Sequence, residues 1–383
     1  MASSDWLSAF FEKEFGETPM CFRSPGRINL IGEHTDYNQG FVLPSGIDLF
    51  CQIAIKASNT KQFTFHAIDL EEQVVFEEGQ VFEPKNFWAN YVLGVKHALN
   101  KRGFTIPPFN LVVKSDIPIG AGLSSSAALE SVVAFGLNEV FSLGLSKMDL
   151  TWIAKESEND FIGLQCGIMD MFASIHAKEN NAMLLDCETL EFEYVPLDLG
   201  ENKILLFDTQ VKHELASSEY NTRRLECLQA VDVLKTNHAN IESLRDVNLQ
   251  TLNDIENQLT DKIFNRAKHV VTENDRLHAF SKAISSNNWS LAGRLLYASH
   301  DSLKNDYGVS CPELDLLVDA VKNIEGVWGA RMMGGGFGGC TLNLVRNEKI
   351  DEIIKEVNRL YFTAFGIVPK YYIASTSNGA STF

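Results

Sequence analysis

Side chains able to do chemistry crowd into a few stretches of this chain. SPGRINLIGEHTDYNQG (24–40) brings Arg27, Glu33, His34 and Asp36 close together beside the apolar Leu30 and Ile31. Carboxylates accept hydrogen bonds from the hydroxyls of a polyol, and an imidazole donates or accepts one. The spacing matches no H-E-x-x-H zinc pattern. A solvated turn is the other reading of the same residues.

SDIPIGAGLSSSAALE (115–130) sets Gly120 and Gly122, free to take positive φ, ahead of Ser124, Ser125 and Ser126, where a helix should begin. A helix start carries unpaired N–H donors and about half a positive charge, which suits a phosphate. Serine N-caps and Gly-x-Gly turns also occur without any ligand, so this stretch alone leaves both readings open. MGGGFGGC (333–340) is a second glycine loop, either a tight strand connection or a support for the first. Glu158, in TWIAKESENDF, and Asp170, in CGIMDMF, complete the set. A lone Asp at a helix start is usually a cap. Paired with Arg27, it would stay ionised and oriented as a base for a hydroxyl proton.

These residues need elements to hold them. Residues 41–58 and 62–68 read as strands of an antiparallel sheet, and NLVVKS (110–115) as a strand running into the first glycine loop. Helical spacing follows from Ala127 to about 141, then over 149–161 and 168–177. Short strands and turns fill 179–202, the place for a boundary between two units, 1–190 and 191–383. KILLFDT (203–209) opens the second unit as a buried strand, followed by helices over 214–235, 263–285 and 288–304. Pro312 suits the first position of a helix to about 323. TLNLV (341–345), a helix at 348–362 and KYYIAST (370–376) close the chain, which reads as α+β in two lobes with a ligand crevice between them.

Composition limits the partners. A formal charge of −17 argues against a nucleic-acid backbone or an anionic membrane. Any anion must then be held by backbone N–H groups, a bound cation or a few placed Arg and Lys side chains. Seven cysteines, scattered and never spaced C-x-x-C, give neither a disulfide framework nor a zinc site. With no secretory pattern at the start and no long apolar run, the expected compartment is the cytoplasm. G-x-x-x-x-G-K-[ST], H-R-D and D-F-G are all absent, so neither a P-loop nor a protein kinase is indicated. Cys166 and Cys340 read as small apolar fillers and His213 as a structural hydrogen-bonder.

Taken together, the motifs resemble those of the galactokinases, within the GHMP small-molecule kinase family. RINLIGEHTDYNQGFVLP (27–44) is similar to the galactokinase signature, IPIGAGLSSSAALE (117–130) to the family's nucleotide motif and MMGGGFGGC (332–340) to its C-terminal glycine motif. ENDFIGLQCGIMD (158–170), VKHELASSEYNTRR (211–224) and KHVVTENDR (268–276) lend further matches in the expected order.

The resemblance implies an N-terminal lobe like the second domain of ribosomal protein S5, a ferredoxin-like C-terminal lobe and an active site between them. It implies transfer of the γ-phosphoryl group of MgATP to the anomeric hydroxyl of α-D-galactose, the first committed step of the Leloir pathway. By matching position, Asp170 would be the base and Arg27 its partner. Glu33, His34, Thr35, Asp36, Gly167 and Tyr220 would bind the sugar. Gly120, Ala121, Gly122, Leu123, Ser124, Ser125 and Ser126 would wrap the phosphates, and Ser126 and Glu158 would hold Mg²⁺. A monomer is expected. The chain departs from the family at Met171, where Gln is usual. An N-acetylgalactosamine kinase, or a non-catalytic galactose and ATP sensor that regulates transcription, would share much of this pattern. The sensor would be expected to lack catalytic parts that are all present here.

Overall fold

The computed structural model describes residues 3–77, 87–212 and 216–383. In chain order, the first half comprises α1 (Ser3–Phe15), β1 (Met20–Asn29), β2 (Phe41–Val42), β3 (Pro44–Ala57), β4 (Gln62–Ala67), β5 (Glu72–Glu77), α2 (Phe87–Lys101), β6 (Phe109–Ser115), α3 (Ser125–Val140), α4 (Lys147–Glu156), α5 (Met169–His176), β7 (Asn181–Asp186) and β8 (Phe192–Pro196). The second half comprises β9 (Asn202–Lys212), α6 (Ala216–Asn237), α7 (Leu249–Asn253), α8 (Asp261–Ser285), α9 (Trp289–Ser302), α10 (Pro312–Val321), β10 (Val327–Met332), β11 (Gly338–Arg346), α11 (Ile350–Phe365), β12 (Lys370–Ala374) and β13 (Ser381–Thr382).

A six-stranded sheet of order β13-β1-β3-β6-β4-β5 organises the first lobe, antiparallel except where β4 runs parallel to β6. Helix α1 seals one face with Leu7 and Phe11 against Ala54 and Val112, while α3 packs over β1 and β3 on the main core side. Strands buried on both faces lose the alternating polar pattern. That is why β1 (MCFRSPGRIN) gives no clear strand signal in the sequence although its last six residues are all buried.

The apolar run 41–58 divides at Leu43, whose N–H turns to Asn29 Oδ1 (3.1 Å) and Ile31 O (3.3 Å). β2 then joins a small sheet β2-β7-β8, while β3 stays with β1.

The second lobe holds an antiparallel sheet of order β10-β11-β9-β12, with α10 and α11 packed on Phe207, Ala330 and Val345. Helices α6, α7 and α8 form a separate cluster around Leu234, Val270 and Leu303. The largest core is continuous between the sheets, running from Phe22 and Ile53 to Leu206, Phe280 and Leu342. The chain returns at its end to the first sheet, where β13 pairs with β1 through Phe22 and Thr382. Among the described residues no helix is long and apolar enough to cross a membrane. His213, read above as a structural hydrogen-bonder, lies outside the described residues.

Candidate active site

A bulge aims the first site residue. The β1–β3 register shifts between Pro25 and Arg27, and the Arg27 N–H leaves β3 for Leu123 O at 3.2 Å. Bulges re-aim side chains in this way. The Arg27 guanidinium then grips Asp170 with Nε to Oδ1 and Nη2 to Oδ2, both at 2.8 Å, and donates Nη1 to Gly122 O at 2.6 Å. Burial works against the Arg27 charge, but Asp170, helped by Glu33 and Asp36, outweighs it and raises the pKa.

Asp170 stands in the first turn of α5. Its neighbour Met171 is wholly buried against Ala127 and Ala154. A bond to Asp170 comes instead from Ser124 Oγ, which donates to Oδ2 at 2.5 Å. Ser124 occupies the N-cap of α3 in the left-handed region (φ 60°) and gives that helix no side-chain cap. The first N–H groups of α3 are thus left without the usual partner. Ala121 and Leu123 anchor the loop in the core, while Gly120 and Gly122 take φ of 79° and 76°. Met333 and Gly334 of the second glycine loop lie against Gly122, so that loop both joins β10 to β11 and backs the first.

The helical stretch expected over 149–161 is α4, capped by a reciprocal Ser146–Asp149 pair, followed by a π-helical turn over Ser157–Ile162. Such turns often re-aim side chains at functional sites. This one carries Glu158, which accepts from Ser126 Oγ (3.1 Å) and from Cys166 Sγ (3.3 Å). Burial, and then the charge of Asp170, push Glu158 up to about 7.

A cavity of about 300 Å³ opens between these groups and the 33–36 turn; its walls include Arg27, Glu33, His34, Asp36, Ser126, Glu158, Gly167, Asp170 and Tyr220. Gly167 makes room for Asp36, since a Cβ there would sit 1.7 Å from Asp36 Oδ2. Desolvation, and then Asp170, raise the Asp36 carboxyl to about 6. His34 is held neutral, its pKa lowered to about 3 chiefly by burial. Thr35 does not reach the cavity; its hydroxyl is spent on Gly32 O (2.8 Å) and Phe41 O (2.6 Å). Gly120–Ser125 lie outside the walls of this cavity. Ser125 and Ser126 instead border a second one of about 470 Å³, walled by Trp88, Tyr91, Ile119 and Leu129. Ser126 therefore stands where the two cavities meet.

Several buried supports escape sequence reasoning. Arg331, wholly buried on β10, donates to Leu30 O (2.9 Å), Asn29 O (2.7 Å) and Glu33 Oε1 (2.8 Å). Gly334 N also donates to Glu33 Oε1 at 2.8 Å, and Asn29 Nδ2 to Oε2 at 3.0 Å. Helix α8 clamps the same loop: Glu273 accepts from Gly32 N (3.2 Å), Asn274 from Phe41 N (3.1 Å), and His269 Nε2 meets Glu33 O at 3.1 Å. These contacts give KHVVTENDR (268–276) its structural meaning. No local pattern could announce them, because each partner lies more than two hundred residues away.

A two-lobed α+β fold with a glycine-loop helix start facing an Arg–Asp pair defines a GHMP-class kinase. Three family models match it: a galactokinase galactose-binding signature over residues 9–57, the GHMP kinase N-terminal domain over 90–178 and the GHMP kinase C-terminal domain over 280–362. A galactokinase of Thermosipho africanus is 42% identical over 362 residues, covering 94% of this chain and 99% of its own. One from Clostridium perfringens is 41% identical, with 97% and 98% covered. The crystal structure of Lactococcus lactis galactokinase complexed with galactose superposes with a TM-score of 0.94 at 35% identity, covering 99% of this chain and all of that one. Methanococcus jannaschii mevalonate kinase, at 20% identity and a TM-score of 0.68, shares the fold. The chain belongs to the galactokinase family.

Proposed function

We propose that this chain phosphorylates α-D-galactose at the C1 hydroxyl with MgATP, releasing α-D-galactose 1-phosphate and ADP. The observation that carries the reading is the Asp170 carboxylate, clamped by Arg27 inside a cavity with Glu33, His34 and Asp36 on one wall and Ser126 and Glu158 on another. Asp170 Oδ2 takes two protein hydrogen bonds and Oδ1 takes one. With two lone-pair directions per oxygen, Oδ1 keeps one for a hydroxyl proton. Asp170 removes the C1 proton as that oxygen bonds to the γ-phosphorus, and the bond from that phosphorus to the bridging oxygen of the leaving ADP breaks. Arg27 and the uncapped N–H groups of α3 face the charge that develops.

Glu33, His34, Asp36 and Tyr220 hold the sugar hydroxyls, with Gly167 keeping the cavity open; Thr35 contributes by fixing the turn. The loop Gly120–Ser126 receives the triphosphate, whose base lies in the second cavity beside Trp88 and Tyr91. Ser126 Oγ and Glu158 are hard oxygen donors, and among the described residues no group of three or more His, Cys, Asp or Glu side chains is placed to hold a metal. A Ser–Glu pair suits Mg²⁺, which keeps several waters and takes further oxygens from phosphates. When bound, Mg²⁺ supplies the positive charge this acidic chain lacks. The lobes divide near 190/191.

The chain acts as a monomer in the cytoplasm, a compartment that seven free cysteines support. Full-length similarity to galactokinases favours galactose over N-acetylgalactosamine and catalysis over sensing. Coupled ADP release with galactose, N-acetylgalactosamine, glucose and mevalonate tests the substrate. Galactose should give the highest kcat/KM, and preference for any other acceptor would overturn the reading.

A further inference from the structure

Behind the sugar wall a row of hydroxyl and thiol groups leads away from His34. His34 Nδ1 meets Tyr37 Oη at 2.7 Å, Tyr37 Oη meets Tyr307 Oη at 2.7 Å, and Tyr307 Oη meets Cys227 Sγ at 3.3 Å. Tyr307 ends a second π-helical turn, Leu303–Tyr307, and is pinned by Arg223, which donates Nε to Tyr307 O (3.0 Å) and Nη2 to Gly308 O (2.8 Å). The other ring nitrogen, His34 Nε2, is buried at the cavity wall, with the Gly335 carbonyl beside the ring but no side-chain partner.

Donation can run along this row in either direction, and the surroundings of Nε2 select one. The four carboxylates of the cavity, Glu33, Asp36, Glu158 and Asp170, make its interior rich in acceptors. The Gly335 carbonyl also lies against the ring, so a bare nitrogen lone pair on this side would be repelled, whereas an N–H is attracted. With Nε2 protonated, Nδ1 must accept from Tyr37, Tyr37 from Tyr307, and Tyr307 from the Cys227 thiol. Every group in the row then donates once, and the neutral ring is held in one tautomer. Burial keeps His34 neutral and both tyrosines protonated at physiological pH, and raises Cys227 to about 11, so all four protons stay in place.

We infer that Tyr37, Tyr307 and Cys227 are positioning residues that lock His34 in its Nε2–H tautomer, making it a hydrogen-bond donor to one sugar hydroxyl oxygen. The inference rests on the cavity being the galactose site. A sugar hydroxyl bound there donates to a carboxylate and needs a donor in return, and His34 supplies it. The row thus selects a substrate with an oxygen at that position.

Two-bond ¹H–¹⁵N correlation on protein carrying ¹⁵N-histidine, without sugar, tests the lock directly, with His34 assigned by its loss in His34→Asn. The expected result is a single neutral Nε2–H tautomer at pH 7. An Nδ1–H ring or an exchanging mixture in the wild-type protein would overturn the inference, even if galactose is phosphorylated normally. In Tyr37→Phe and Tyr307→Phe, which keep the rings and lose only the hydroxyls, tautomer mixing should appear. One lost hydrogen bond to substrate corresponds to a galactose KM raised about 3–10-fold, with kcat held within about twofold. An unchanged tautomer and unchanged KM in either folded variant would refute the relay. Failure of all galactose turnover in the wild-type protein would strike the functional reading while leaving the tautomer result to be judged alone.

Discussion

Arg27 and Asp170, 143 residues apart, meet through two parallel hydrogen bonds of 2.8 Å, the fork geometry in which guanidinium recognises carboxylate. The pair fixes the orientation of Asp170 beside Glu33, His34 and Asp36 in the cavity. Asp170→Asn should lower kcat about 10²–10⁴-fold while calorimetry still detects galactose binding, because the proton acceptor and one arm of the Arg27 fork are lost but Glu33, His34 and Asp36 are untouched. Arg27→Lys cannot reproduce the fork or keep the bond to Gly122 O, and should lose activity without losing sugar affinity. Near wild-type kcat in Asp170→Asn would take Asp170 out of the chemistry.

Ser124 joins strain to function. Its left-handed backbone costs a non-glycine residue on the order of 1 kcal/mol, and its hydroxyl is used on Asp170 instead of capping α3. Ser124→Ala keeps the strain and loses the bond, whereas Ser124→Gly loses the bond and relieves the strain. Both should reduce kcat by a similar modest factor. Urea denaturation should find the Gly variant more stable than the Ala variant by about 1 kcal/mol; equal stabilities would remove the strain argument.

Asp36 links binding to pH. Its carboxyl titrates near 6 in the folded protein, above the ordinary carboxylate value. The native state therefore holds an extra proton between about pH 4 and 6, and stability attributable to this group falls as pH rises through that window. At pH 7.5, Asp36→Asn should raise the Tm by a few degrees while weakening galactose binding strongly. In the wild-type protein, the galactose KM should climb between pH 7 and pH 5 as the acceptor is protonated. A flat KM over that range, or a lower Tm for Asp36→Asn, would count against this assignment.

How far such a site can be read in advance depends on whether its parts are local. Arg27, Glu33–Asp36, Ser126, Glu158 and Asp170 sit in short stretches whose glycines, hydroxyls and acids are unusual for their neighbourhoods, so the sequence marks them. The structure brings all of these except Thr35 to one cavity. The resemblance places Thr35 with its neighbours on the sugar, but its turn points the hydroxyl at backbone carbonyls.

Arg331 and Tyr307 leave no trace, because their partners are remote in sequence and a single charge or ring looks like any other of its type; Glu273 falls in KHVVTENDR, yet nothing local announces its bond to Gly32 N. β1 was hidden for a different reason: burial on both faces, with Pro25 and Gly26 inside the strand, erased its period. Helix α2, with Gly94 at its centre, also gives no clear signal in the sequence; that glycine clears Ser157 Oγ of the π turn, which a Cβ would approach to 2.2 Å.

Arg331 and Glu33 form a buried pair at 2.8 Å, both almost wholly shielded from solvent. Arg331→Met strands a buried carboxylate and the carbonyls of Asn29 and Leu30, and should destabilise the fold by about 3–5 kcal/mol in urea. Pairing it with Glu33→Gln should recover part of that loss. A strictly additive double variant would show the two side chains to be uncoupled.

Gly167→Ala offers a steric test of the sugar wall. Its new methyl group collides with Asp36 Oδ2 and must displace that carboxylate. The galactose KM should rise at least about tenfold, with a much smaller change in the KM for ATP, whose proposed site lies on the other side of Ser126. Equal increases in both would point to a general collapse of the loop.

The most direct test of the account is a crystal structure with galactose and a non-hydrolysable ATP analogue bound with Mg²⁺. The account predicts the C1 hydroxyl within about 2.6–3.2 Å of Asp170, with the γ-phosphate on its far side above the start of α3. A sugar seated against Glu33, His34 and Asp36 with its C1 oxygen beyond reach of Asp170 would contradict it.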